Sequence, residues 1–232
     1  MSETDAAGPP PAAGSLGRPW AADPAAVPLD DPRQRRTRAA LTETLLRLLE
    51  DEPLDAISVA RLCREAGVHR TTFYAHAPSV HAFALAVFTQ DLDRLAAVEV
   101  EPAGETPAHV AERYLDSLTM VLDHVALERA GYRALFGSAS RGVFRAALDE
   151  RMRRRARRAL EVWRAQDVPG APASDAALAE AAAFIGGGLV GAIETWAMGD
   201  EADAAASAAR IAALMPGWWP RPQAAPPPPG DR

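Results

Sequence analysis

The 232-residue sequence predicts an all-α chain. Apolar residues recur at three- and four-residue spacing through every segment that is not rich in Pro or Gly. Pro, Gly and hydroxyl or acidic residues stand where such segments begin and end. No stretch alternates apolar and polar residues convincingly over the length of a strand.

Residues 1–31 hold six Pro, eight Ala and three Gly, and are expected to be a disordered tail in which Trp20 is idle. Order is expected from Asp31, a possible cap, and Pro32, which suits a first helical position. The helix that follows places Leu41, Leu45, Leu48 and Leu49 on one face and stops before Pro53. Its first turns hold Arg33, Arg35, Arg36 and Arg38. Arginines at a helix N-terminus oppose its dipole, so an external anion such as a phosphate would relieve them.

Residues 58–77 read as two short helices joined by a tight turn. Ser58 can cap the first, whose Val59, Leu62, Cys63 and Ala66 share a face. Gly67 stands where the chain must turn with positive φ. The second helix runs from His69 to Tyr74 with only Phe73 plainly apolar, so Arg70, Thr72, Tyr74 and His76 offer donors on its surface. Such a layout suits a helix-turn-helix whose second helix enters the DNA major groove.

Ser79 caps a long helix to about residue 98 with Phe83, Val87, Phe88, Leu92 and Leu95 inward. After a Pro/Gly break at 101–105, a helix over about 106–129 buries Val110, Tyr114, Leu118, Val121, Leu122 and Val125. A short apolar piece at 132–136 ends at Gly137. The next helix, about 141–166, is lined by Phe144, Leu148, Met152, Leu160 and Trp163. Six arginines crowd its middle, from Arg151 to Arg158. Asp149–Arg153 and Glu150–Arg154 are favourable i,i+4 pairs, so the run reads as a solvated face.

Ser174 or Asp175 caps a helix to about Met198 that contains Gly186, Gly187, Gly188 and Gly191. Each glycine costs a helix about 1 kcal/mol relative to Ala, so four in six residues imply a helix neighbour at very short distance. A partner helix is the neighbour expected; if a second subunit supplies it, Gly187, Gly188, Gly191, Ile193 and Trp196 stand at the dimer interface. A last Ala-rich helix covers about 201–214, and the Pro-rich stretch from 216 is expected to be a disordered tail.

Composition bounds the chemistry. Net charge is −6, yet residues 32–78 carry eight Arg against six acids, a local +2 that leaves −8 on the remainder. A mildly basic head on an acidic body fits a DNA reader with a second domain. All 25 basic residues are Arg, and the chain has neither Lys nor Asn. Schiff-base and P-loop lysines are excluded, and adenine cannot be read by Asn. The lone Cys63 excludes a disulfide framework and a cysteine metal site and reads as a small core residue. His69, His76 and His81 lack a common centre, so no metal is expected, nor any cofactor. No nucleophile elbow, metal spacing or paired carboxylates point to an enzyme. Without a signal peptide or a continuous 18-residue apolar run, a cytoplasmic protein that does not enter a membrane is expected.

The stretch CREAGVHRTTFYAH, residues 63–76, resembles the TetR family of bacterial transcriptional regulators, and the similarity spans roughly residues 33–90. Three positions depart from the family pattern: His69 replaces a small hydroxyl cap, Ala77 a Phe, and Val80 a phosphate-touching Lys. The resemblance implies a three-helix head at 32–78 with its motif at 58–77. A linking helix at 79–98 opens a helical ligand-binding and dimerisation body at 79–215. It implies DNA contacts from Arg36, Ser58, His69, Arg70, Thr71, Thr72, Tyr74 and His76, with no catalytic residue. It further implies a homodimer built by the last two long helices as a four-helix bundle. Such a repressor holds a near-palindromic operator and is released by a small molecule that pivots the linking helix. Tyr114, His124, Trp163 and Phe184 are the candidate pocket residues. The alternative is a helical small-molecule binder or coactivator that no longer binds DNA, which the three departures favour and the intact Arg70, Tyr74 and His76 oppose.

Overall fold

A computed structural model describes residues 32–98 and 104–221. Among the described residues the chain is entirely helical, with nine α-helices, one 3-10 turn and no strand. The helices are α1 (Pro32–Asp51), α2 (Val59–Ala66), α3 (Arg70–Tyr74), α4 (Val80–Leu95) and α5 (Pro107–Leu127). They continue with α6 (Arg129–Gly137), α7 (Arg141–Ala165), α8 (Asp175–Met198) and α9 (Ala204–Ala213), and the 3-10 turn is Leu54–Ala56. The chain divides into two units, one ending at Arg36 and one beginning at Thr37. Of the first, only the opening turns of α1 are described, with Arg33, Arg35 and Arg36 exposed. The expected cap Asp31, Trp20 and both outer tails (1–31 and 222–232) lie outside the described residues.

The helix starts follow their hydroxyl and acidic caps. Ser58, Ser79, Thr106, Ser174 and Asp203 each accept a hydrogen bond from the backbone N–H three residues on. Each bond satisfies a donor that the first helical turn would leave orphaned. Gly67 ends α2 at φ 65°, a left-handed geometry that its missing Cβ makes cheap.

The last two long helices, α7 and α8, are joined by a short loop and lie antiparallel. Arg164 near the end of α7 pairs with Asp175 at the start of α8 at 2.8 Å. Arg141 at the other end pairs with Glu194 at 2.8 Å, and Arg145 pairs with the same carboxylate. Helices α5 and α9 pack together, α5 also packs on α8, and α6 packs on α4, α7 and α8. The C-terminus of α8 is held by two arginines. Arg129 donates to the carbonyls of Trp196 (2.7 Å), Gly199 and Glu201 (2.6 Å). Arg133 donates to those of Ala197 (3.0 Å) and Gly199 (2.8 Å). Two guanidinium charges thus meet the last carbonyls of α8, where the dipole is negative.

The glycine run behaves differently from the sequence expectation. Helix α8 continues unbroken through it, and the close neighbour of Gly186 lies in the same chain. A Cβ on Gly186 would stand 2.8 Å from the backbone nitrogen of Arg153 in α7. Gly188 and Gly191 have nothing within 4 Å of a built Cβ. Ile193 and Trp196 are also removed from the expected interface. Both are core residues of the subunit, and the Trp196 indole donates to the Leu122 carbonyl at 2.8 Å.

The C-terminal stretch needs a correction too. Residues 216–221, expected to belong to a disordered tail, are seated on the body. Trp219 stacks edge-on against Trp163 and Tyr114, at 5.5 and 6.4 Å. Two adjacent tryptophans bury too much apolar surface to be left in water, which outweighs the Pro content around them.

The apolarity of α8 also exceeds the sequence expectation. It has the length and hydropathy of a membrane span, with a mean hydropathy of 1.7 over 18 residues. Ala and Gly supply much of that value, and its Leu178, Ile185, Leu189 and Ile193 are buried in the subunit's own core.

The contrast between the glycines is testable. Gly186→Ala is expected to destabilise the protein by about 1–3 kcal/mol, because α7 must move away. Gly188→Ala should leave stability unchanged or raise it by up to about 1 kcal/mol through helix propensity. Urea unfolding of the two variants measures the difference.

Candidate functional site

The head is built so that α3 presents its polar side. Phe73 is fully buried, 5.8 Å from the Phe83 ring of α4. That anchor turns His69, Arg70, Thr71, Thr72 and Tyr74 outward, and all five are exposed. No acid stands among them, and Arg70 makes no ion pair among the described residues. His69 occupies the N-cap position of α3 without a side-chain cap bond, as its replacement of a hydroxyl residue leads one to expect.

Other candidates are positioned differently. The Ser58 hydroxyl accepts from the Arg61 backbone N–H at 3.2 Å, so it serves first as the cap of α2. His76 is half-buried. Burial, reinforced by the charge of Arg38, lowers its pKa below the usual histidine value. Val80 is turned into the core, as is Ala77. The side chain at position 80 therefore adds to head packing and leaves phosphate contact to others.

Three further arginines, Arg38, Arg47 and Arg61, are engaged internally. Arg38 donates to Gln90 Oε1 at 2.9 Å and lies 5.6 Å from the Phe83 ring centre. Arg47 and Arg61 both hold Glu65, at 2.8 and 3.0 Å, and Arg61 also holds Glu52 at 2.5 Å. The Glu65 carboxyl consequently sits below the usual carboxylate range, chiefly through its bond from Arg47 and then that from Arg61.

One carboxylate ties the 3-10 turn to α4 and to the turn between α6 and α7. Asp55, in the 3-10 turn, binds His81 Nε2 of α4 at 2.6 Å and accepts from the Ala139 backbone N–H of the α6–α7 turn at 3.2 Å. The His81 bond, followed by that of Ala139, holds its pKa below the ordinary Asp value. No sequence signal marked Asp55, because its partners are 26 and 84 residues away.

The body holds an apolar pocket of about 60 Å³, bounded by Leu115, Leu118, Ile185, Leu189, Met215 and Trp219. A second cavity of about 90 Å³ is lined by Asp93, Arg151, Arg154, Arg155 and Arg158. Ala96, Tyr114, Met152 and Arg155 belong to the walls of both.

Of the four pocket candidates, the structure brings only Tyr114 to these cavities. Trp163 is fully buried behind Tyr114 and Trp219. His124 stands edge-on to Tyr132 at 5.8 Å, with Nε2 buried and unpartnered and its pKa lowered by burial. Phe184 is 75% exposed on the open side of α8, because its helical position turns it away from α7. Arg155 was missed as a pocket residue within the arginine run. Its one signal was the lack of an acid at helix spacing, since Arg151 and Ala159 stand four residues to either side.

His69, His76 and His81 do not converge, and among the described residues no cluster of three metal-ligating side chains occurs.

The Asp55 bonds generate a pH dependence with a defined sign. A carboxyl whose folded pKa is depressed stabilises the fold above its unfolded value, 3.8, and loses that contribution as pH falls through the folded pKa. Asp55→Asn should therefore be less stable than the parent at pH 6, with the gap narrowing below pH 3.8. Urea titrations at pH 6 and pH 3 read it.

No protein-family model and no curated protein sequence matches the chain. Solved structures do. The dihydroxyacetone kinase operon activator DhaS superposes with a TM-score of 0.59 at 13% identity, over 77% of this chain and 93% of its own. The fatty acid degradation regulator FadR from Bacillus halodurans gives 0.56 at 15% identity, over 80% and 95%. RolR in complex with resorcinol gives 0.51 at 23% identity, over 79% and 89%. The chain thus has the all-helical fold of these transcriptional regulators, the fold that the TetR resemblance of residues 33–90 implies.

Proposed function

We propose that this chain is a DNA-binding transcriptional regulator that acts as a homodimeric repressor and leaves a near-palindromic operator when a small molecule enters the body. The observation that carries the reading is the surface of α3, where an anchored Phe73 turns Arg70, Thr71, Thr72 and Tyr74 outward with no acid among them. Such a helix supplies hydrogen-bond donors to base edges and methyl contacts to thymine. Arg36 on the opening turns of α1 and the half-buried His76 serve the phosphates. The head and the body function as separate domains, the boundary lying near residue 78. A cytoplasmic location suits such a protein.

Two subunits are needed because one short reading helix binds weakly, near the non-specific range of about 10⁻⁴–10⁻⁶ M. Heads about 34–36 Å apart reach successive major grooves. The proposed dimer face is the open side of α8, where Phe184, Gly187, Gly188 and Gly191 share one helical stripe and Phe184 is largely exposed. Small residues on an uncovered face let a partner helix approach closely. With the partner's α7 and α8, this pair would form a four-helix bundle.

The neighbours support a regulator: DhaS is described as an operon activator, and RolR was solved with the small ligand resorcinol. An activator would keep its DNA when the ligand binds. A helical binder without DNA affinity would retain the body's pockets and select no sequence. Enrichment of random duplexes by the full chain, followed by gel shift with and without ligand, separates the three.

Arg70→Ala is expected to cost about 1–3 kcal/mol of operator affinity and to relax one base pair per half-site. Arg36→Ala should weaken all sequences alike and reduce the salt slope by about one. An unchanged selected motif with Arg70→Ala would place the reading helix elsewhere.

Gly191→Leu has open space for its side chain within the subunit. It should yield a folded protein that sediments as a monomer, loses the shifted band on a palindrome and keeps weak, salt-sensitive binding. A Gly191→Leu dimer that still binds its palindrome would move the interface off this face.

A further inference from the structure

Arg155 is in an unusual position for a guanidinium. It projects from the middle of α7 into the wall between the apolar pocket and the arginine-lined cavity. Its Nη1 donates to the Ala96 carbonyl and, at 2.8 Å, to Ser117 Oγ, and its Nη2 donates to the Tyr114 carbonyl at 3.1 Å. Its Cζ lies 5.0 Å from the Tyr114 ring centre. All these partners are neutral, and Arg155 forms no ion pair among the described residues. A cation removed from water without a counter-ion is costly. Burial pushes the Arg155 pKa down to about 10, offset in small part by Tyr114.

Three of the five guanidinium N–H donors are engaged. The Nε–H and one Nη2–H remain, the pair that meets a carboxylate side-on with two parallel hydrogen bonds. The surroundings add to the demand for an anion. Arg151, Arg154 and Arg158 line the adjoining cavity, where Asp93 is the one acid among the described residues and Arg154 is paired with Glu150. Asp93 is already held by Arg151 at 2.9 Å. On the other side the walls are Leu115, Leu118, Ile185, Leu189 and Trp219, which suit hydrocarbon, with Arg221 at the edge donating to the Ala212 and Met215 carbonyls.

We infer that the body binds a monocarboxylate with an apolar body, its carboxylate on the free edge of Arg155 and its hydrocarbon between α5, α8 and Trp219. The same arginine grips the last turn of α4 through the Ala96 carbonyl. A carboxylate that draws the guanidinium toward itself weakens that grip, which couples the pocket to the helix leading to the head. This coupling rests on the regulator reading; the binding does not.

The test uses the full chain and two probes with the same hydrocarbon, octanoate and 1-octanol, titrated by tryptophan fluorescence through Trp219. Octanoate should bind saturably and at least about tenfold more tightly than 1-octanol, as one charge-assisted contact implies. Arg155→Gln should remove that advantage and leave 1-octanol unaffected. Leu115→Trp should weaken both probes by filling the apolar side. If Arg155→Gln fails to fold, the ratio of the two probes in the parent and its response to Leu115→Trp decide. Equal affinities, an octanoate affinity untouched by Arg155→Gln, or no saturable octanoate binding would each overturn the assignment. Octanoate that binds without releasing operator DNA leaves the site standing and removes its effector role. Release of the operator by neutral molecules alone keeps the regulator and rejects the carboxylate site.

Discussion

The contact of Gly186 with the backbone of Arg153 is the constraint from which the body's arrangement follows. A Cβ there would approach that nitrogen to 2.8 Å, so α7 and α8 can lie this close only because position 186 has no side chain. The rotation of α8 that this contact requires buries Ile185, Leu189, Ile193 and Trp196 in the subunit and leaves Phe184, Gly187 and Gly188 outside. The same contact fixes the rotation of α7, and with it the direction of Arg155 into the cavity wall. Salt bridges at both ends of the pair hold the register, but they are exposed enough to contribute little energy individually. Apolar burial and backbone proximity supply the stability, and the ion pairs select the alignment.

A chain with no lysine has to use arginine for every cationic task, and the structure separates those tasks by geometry. Arg129 and Arg133 cap α8 through carbonyls. Arg47 knits α1 to α2 through Glu65, and Arg61 ties α2 to Glu52 just past the end of α1. Arg153 and Arg154 pair with acids one turn away on the same helix, as expected of a solvated face. Arg70 and Arg155 have no carboxylate partner among the described residues. One lies on an exposed helix and the other in a cavity wall, so their surroundings differ in solvent and in the anion each can accept. A fixed guanidinium fork loses little freedom on binding a planar anion, which suits it to both places.

Helix α4 is held at each end by a polar contact to a different part of the chain. At its start His81 meets Asp55, which also reaches the turn between α6 and α7. At its end Ala96 is held by Arg155. Between them the Phe88 ring lies so close to Gly131 of α6 that a Cβ would stand 2.0 Å from it. Phe88 also packs edge-on against Tyr132 at 5.0 Å. A helix clamped at its ends and tightly packed at its middle moves as a unit.

By itself the sequence determined the elements and the helix-turn-helix motif. Apolar spacing, hydroxyl caps and the Gly67 turn are local signals, so the helices begin and end close to where those residues stand, and α3 turns its polar side outward because Phe73 is its sole apolar anchor. Side-chain direction across the body was not local. Phe184, Trp163 and His124 read alike as aromatic residues on body helices, yet one is exposed, one is behind the pocket and one packs on Tyr132. The glycine run announced a close neighbour without naming it, and only the packed helices show that Gly186 meets its own α7. Arg155 resembled its neighbours in a charged run, and Asp55 looked like any loop acid. Their partners lie tens of residues away, so the tertiary structure alone could bring them together.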